Sequence, residues 1–203
     1  MLRSICVALV VLCLCCVSHD ALAQKEKGMK MPSQEEMMKR WQAFMTPADA
    51  HARLMKMAGT WNVENKMWMG GPGSEAQTST GTAVYSEYLG GRYLKQEMNA
   101  TMMQMPYHGF GVFGYDNFKK KYTGFWIDDM STAISVMEGS YDEKSRSIVF
   151  WGKMDEPMTG EKDKKVKYIV RIENDDTHYF EIYDVQTYGE KQPVMQVKYT
   201  RAK

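Results

Sequence analysis

Gly59-Thr60-Trp61-Asn62-Val63-Glu64-Asn65-Lys66-Met67 marks the place where the chain changes its period. Trp61, Val63 and Met67 fall on one face while Glu64 and Lys66 take the other, the two-residue alternation of a strand with one buried side. Before Gly59 the apolar residues recur at helical spacing; after it they do not. The far end of the chain keeps the same rhythm, with Met195, Val197, Tyr199 and Arg201 on one face and Gln196 and Lys198 on the other.

Between these two ends the pattern predicts strands over 60–69, 78–89, 91–101, 108–116, 121–128, 132–141, 147–155, 164–173, 177–185 and 193–201. Turn-forming residues separate them: Gly70-Gly71-Pro72-Gly73, Gly90-Gly91, Met105-Pro106, Asn117-Phe118-Lys119, Asp129-Met130, Asp142-Glu143-Lys144, Pro157-Met158-Thr159-Gly160, Asn174-Asp175-Asp176 and Gly189-Glu190-Lys191. No link is long enough for a helical crossover, so successive strands should pair antiparallel. A meander of about ten strands in one domain curls and closes to remove its edges, which predicts an all-β, up-and-down barrel.

Upstream of the barrel, Ser33 with Glu36 forms a capping-box signature, and Met37, Trp41, Phe44 and Met45 follow at helical spacing, so a short helix is expected over 34–45. Thr46-Pro47-x-Asp49 reads as a second start, with Thr46 as the cap and Pro47 at the first helical position; that helix should run to about Met57. The domain plan is a leader over 1–23, an arm with two helices over 24–58, and the barrel over 59–203. Arg3, the apolar run from Ile5 to Val17 and Ala21-Leu22-Ala23 compose a signal peptide cleaved before Gln24, which implies export to the periplasm or beyond. The run is shorter than the about 20 residues that a bilayer span needs, so no integral membrane segment is expected after cleavage. All four cysteines, Cys6, Cys13, Cys15 and Cys16, lie inside the leader. The exported chain should therefore hold no disulfide and no thiolate chemistry. With 26 basic and 25 acidic side chains there is no broad basic face, and nucleic acid is not an expected partner.

Gly59-Thr60-Trp61 at the first strand and Tyr199-Thr200-Arg201 at the last are similar to the Gly-x-Trp and terminal-Arg pair of lipocalins and fatty-acid-binding proteins, the calycin barrels. That resemblance implies that Arg201 lies across Trp61 and closes one end, with Gly59, Trp61 and Arg201 as a structural signature. From Leu54 to Arg201 the chain also resembles a bacterial family known only as domain of unknown function 1579. The stretches that carry this are Leu54 to Trp61, Gly90-Gly91-Arg92-Tyr93-Leu94, Met103-x-Met105-Pro106-Tyr107-x-Gly109, Gly114-Tyr115-Asp116-Asn117, Trp126-Ile127-Asp128, Glu138-Gly139-x-Tyr141-Asp142, Pro157-Met158-Thr159-Gly160 and Asp176-Thr177-His178. The family lends no catalytic residues.

Candidates for chemistry come from four groups. Met98, Met102, Met103, Met105 and His108 place four thioethers and an imidazole close together, a set that suits Cu(I); the competing use is gap filling, in a chain with 19 methionines. Asp116, Asp128 and Asp129 lie among aromatics, where Asp128 could work with His108 or His178 as acid and base, but Asp at a strand end more often bonds its own backbone turn. His178 alternates with Phe180 and Ile182, and an inward imidazole could ligate haem iron. Gly109-x-Gly111-x-x-Gly114 has the spacing of a nucleotide loop but sits within a strand, so it reads as room for aromatic packing. With Gly124, these glycines are expected to leave free space beside the aromatics.

The function expected from this pattern is non-enzymatic binding of a small apolar or amphipathic molecule inside the barrel, with no cofactor of its own. About ten strands make a barrel wide enough to enclose a cavity. By parity with Trp61, its walls should include Met67, Tyr115, Trp126, Met137, Phe150, His178, Ile182 and Met195.

Overall fold

The computed structural model describes residues 31–203. The leader and most of the arm lie outside the described residues. The chain divides between Met38 and Lys39 into two compact units, and the barrel lies wholly in the second.

Ten strands form one closed antiparallel barrel. They are β1 (Gly59–Met67), β2 (Gln77–Tyr88), β3 (Tyr93–Met102), β4 (Met105–Asp116), β5 (Lys121–Asp128), β6 (Ser135–Asp142), β7 (Ser147–Glu156), β8 (Glu161–Asn174), β9 (Thr177–Asp184) and β10 (Met195–Arg201). Each strand pairs with its neighbours in sequence, and β1 closes the ring on β10 through a register that sets Trp61 opposite Arg201 and Met67 opposite Met195. Closure pairs every strand on both sides over at least part of its length, so no whole strand is left as an edge to template aggregation.

The strand directions define two ends. The lower end holds the β2–β3, β4–β5, β6–β7 and β8–β9 turns together with a helix, α2 (Asp49–Met55). α2 buries His51 and Leu54, and Met57 just beyond it is buried as well. Arg53 fastens this plug: its Nη1 donates to the Tyr122 hydroxyl at 2.7 Å, and its guanidinium lies 3.7 Å from the centre of the Tyr141 ring. The lower end is thus stoppered by apolar packing and a cation over an aromatic face.

The clasp implied by the calycin resemblance is present. The Arg201 guanidinium sits 4.2 Å from the centre of the Trp61 ring. Its three nitrogens donate to the carbonyls of Asp175 at 2.8 Å, Ala58 at 3.0 Å and Lys56 at 3.2 Å. The Trp61 indole N–H donates to the Met57 carbonyl at 2.8 Å. Gly59 makes the approach possible. Its φ is +134°, and a Cβ there would stand 2.5 Å from Arg201 Nη1.

Three local expectations change. α2 is not capped by Thr46 with Pro47 in its first turn: the N-cap is Ala48, whose N–H donates to His51 Nδ1 at 3.0 Å, while the Thr46 hydroxyl turns back to the Gln42 carbonyl. The residue before a proline avoids helical backbone, and the helix starts later for that reason. The β3–β4 hairpin turns at Met103 and Gln104, both at positive φ, rather than at Met105-Pro106. Neither residue is a usual choice for such a turn, so it carried no signal. A short helix, α3 (Val185–Tyr188), follows β9; its cap is Asp184, which accepts from the Thr187 N–H and pairs with buried Lys164 at 2.7 Å.

The remaining helix, α1 (Gln34–Met45), buries none of its residues. The carbonyls of Ala43 and Phe44 in its last turn, and of Thr46 just beyond it, accept from the Asn117 side chain in the β4–β5 turn. Trp41, Phe44 and Met45 remain exposed.

Candidate binding cavity

All eight residues assigned to the wall by parity face the interior, but they occupy two different depths. Met67, Trp126, Met137, Ile182 and Met195 line a cavity of about 250 Å³ in the upper half of the barrel. Tyr115, Phe150 and His178 do not reach it. They belong to the packed lower half, where Tyr115 meets His51 and Tyr122 edge to face and Phe150 is buried against Tyr122 and Phe113. Alternation fixes which face a side chain takes; how far along the barrel it sits depends on strand stagger.

Several wall residues were missed. Met98 and Met102 come from β3, Tyr107 and Phe113 from β4, Met154 from β7 and Tyr168 from β8. Tyr107 and Phe113 share parity with Tyr115, so extending the same alternation up β4 would have found them. The floor is polar: the Gln96 side-chain amide donates to the Tyr199 hydroxyl at 3.1 Å. A second, open groove of about 840 Å³ runs between β2 and the end of β3, and it shares Met67 and Met102 with the cavity. It exists because the β2–β3 ladder begins only at Gly81 opposite Ala100, leaving Gln77 to Thr80 paired on the β1 side alone.

The glycines do not leave free space. The Trp126 ring lies over Gly109 and Gly111, Phe113 lies over Gly124, and Tyr93 packs on Gly114. What the missing Cβ atoms provide is a recessed wall on which Trp126 can lie flat.

The rim of the cavity carries one carboxylate. Asp128 Oδ2 accepts from the Trp126 indole N–H at 3.2 Å and from the Tyr107 hydroxyl at 3.4 Å. Trp126 Nε1 also donates to the Tyr107 oxygen at 2.9 Å, and Asp128 Oδ1 accepts from the Met130 N–H at 3.0 Å. Burial, with Asp128 alongside, pushes the Tyr107 phenol well above its usual range. It stays a neutral donor.

The metal and catalytic candidates do not assemble. Met98 and Met102 point inward, whereas Met103 and Met105 are exposed at the hairpin turn, and the exposed His108 ring bonds Asn99 at 3.0 Å. Alternation and the turn send the five in different directions, so they form no Cu(I) site. Asp128 meets neither histidine: His108 offers its backbone N–H to Asp129, and His178 lies in the lower half. Asp116 spends its carboxylate on the N–H groups of Phe118 and Lys119, which is turn chemistry.

His178 is enclosed by rings. Tyr199 stacks on it at 4.3 Å and 7°, Trp61 meets it edge-on at 4.3 Å, and its Nε2 lies 3.4 Å from the Tyr85 hydroxyl. The free space beside it is about 20 Å³. A haem does not fit there. Burial, with Arg201 nearby, pulls the imidazole pKa down to about 3.

A family model described as Protein of unknown function (DUF1579) matches residues 46–201. The chain belongs to this family. No curated protein matches it. The match begins at the end of α1 and takes in α2, the clasp and every strand, so the cavity of this DUF1579 chain lies within the matched region. Among its described residues, no helix is long and apolar enough to cross a membrane.

Proposed function

We propose that this DUF1579 chain is an exported, non-enzymatic carrier of a small apolar or amphipathic molecule, held in the upper half of the barrel. The observation that carries the reading is a cavity walled by thioethers and aromatic rings above a solid, clasped floor. Met side chains have three rotatable bonds and a polarizable sulfur, so seven methionines around one cavity make a wall that adapts to its contents. At about 250 Å³, the space lies just below the about 300 Å³ at which ligand pockets commonly begin. The ligand is therefore compact, or leaves part of itself in the groove beside Met67 and Met102. Export rests on the leader pattern of residues 1–23.

The test is titration with a neutral apolar dye, followed through tryptophan emission and dye fluorescence. Binding should alter both signals, and Trp126→Phe should remove most of the tryptophan response. Met195→Trp, which fills the cavity, should abolish dye binding while the protein still melts cooperatively. Dye bound equally well by Met195→Trp would defeat the carrier reading.

A further inference from the structure

The cavity wall contains one carboxylate, Asp128, and no Lys, Arg or His. Among the described residues no cation stands within ion-pair distance of that carboxylate. Its three hydrogen bonds all come from neutral donors: the Trp126 indole, the Tyr107 hydroxyl and the Met130 backbone. These bonds orient the negative charge without neutralising it.

The surroundings are built to hold the carboxylate in place. Asp128 pairs with Gly109 across the β4–β5 ladder, and a side chain at Gly109 would collide with the Trp126 ring and crowd the Tyr107 hydroxyl. The glycine thus allows both donors to converge on Asp128. Around it, Trp126, Tyr107, Phe113 and Phe180 present ring surfaces to the same cavity, and aromatic faces attract cations through their quadrupoles. A charge at the edge of an apolar, low-dielectric space interacts more strongly with a partner than it would in water.

We infer that the ligand is a compact apolar cation, an alkyl or aryl amine, whose ammonium group pairs with Asp128 while its hydrocarbon part occupies the methionine-lined space. The inference rests on the carrier reading above and names its ligand class. It also excludes a class. A fatty acid would bring a second carboxylate to a cavity that offers no cation, and like charges in such a site repel.

Calorimetric titration of the full chain with octylamine, 1-octanol and octanoate tests this, since the three share one tail and differ in head-group charge. Octylamine should bind at least about tenfold more tightly than octanol, with octanoate weakest. Asp128→Asn keeps an acceptor for Trp126 and Tyr107 while removing the charge, so the advantage of the amine over the alcohol should vanish. If octanol or octanoate equals the amine on the wild-type chain, the cation assignment is overturned while the carrier reading stands. An amine bound equally by D128N sits elsewhere and overturns it too. If none of the three binds, and the neutral dye does not bind either, the carrier reading itself falls.

Discussion

Gly59, Trp61 and Arg201 act as one unit. Trp61 loses its cation and Arg201 its ring when either is truncated, and the Arg201 change also strips donors from three carbonyls. Trp61→Ala should cost about 3 to 5 kcal/mol and Arg201→Ala about 2 kcal/mol, by lost packing and unmet hydrogen bonds. The double mutant should cost clearly less than their sum in urea melts, because the two side chains share one interaction. Strict additivity would contradict the clasp. Gly59→Ala should by itself cost about 1 to 3 kcal/mol, since its φ is forbidden to L side chains.

His178 gives a pH dependence whose sign follows from its burial. The native imidazole titrates near 3, whereas an unfolded histidine titrates near 6.5. Between those values the unfolded chain holds a proton that the native one does not. Stability is therefore full above about pH 6.5 and falls as the pH drops toward 3, by about 1.4 kcal/mol per unit for this one proton. His51, also lowered by burial, adds in the same direction. His178→Phe keeps a ring between Trp61 and Tyr199, and urea midpoints measured from pH 7 to 4 should then decline less steeply than in wild type. An unchanged slope would mean that His178 is solvated.

The two helices that precede the barrel divide sharply in what they contribute. α1 buries nothing, while α2 and Met57 supply the lower plug and the acceptor for Trp61. Deleting the residues up to 45 should leave a single cooperative melt, but deleting up to 58 should abolish it, by circular dichroism against temperature. Asn117→Ala removes the donor that holds three carbonyls at the end of α1. Helical signal should fall with the barrel melting point nearly unchanged, because Ala43, Phe44 and Thr46 are exposed and water can replace the lost donor. Loss of cooperativity in N117A would show that this cap supports the barrel.

Within the strands, alternation was legible and depth was not. Met67 and Met195 face each other at the upper end of β1 and β10, and parity alone assigns both to the wall. His178 has the same parity on the neighbouring strand, yet it sits opposite Tyr199 near the clasp. A two-residue period says which side of a sheet a residue takes, and it is silent about height along the barrel axis. For a different reason, the β3–β4 turn departs from the Met105-Pro106 position that turn chemistry favours. Met103 and Gln104 hold positive φ because the paired strands on either side require it, not because these residues favour it.

For the molecule as a whole, the far-ultraviolet dichroism of residues 24–203 should be dominated by β signal, and a helix content above about a third would contradict the barrel. Its all-β class, its antiparallel order and the inward faces follow from the chain alone, because they depend on local periodicity and turn chemistry, while the clasp residues are legible through the resemblance of a short motif at each end to the calycin barrels. The division of the interior into a packed lower half and an open upper half does not follow from it. That division arises from ring stacking around His178, from Trp126 lying flat on Gly109 and Gly111, and from the convergence of Trp126 and Tyr107 on Asp128. His178 meets Trp61 and Tyr85 only once the barrel has closed and set its stagger, and within the β4–β5 pair a two-residue period is silent about which inward side chains meet.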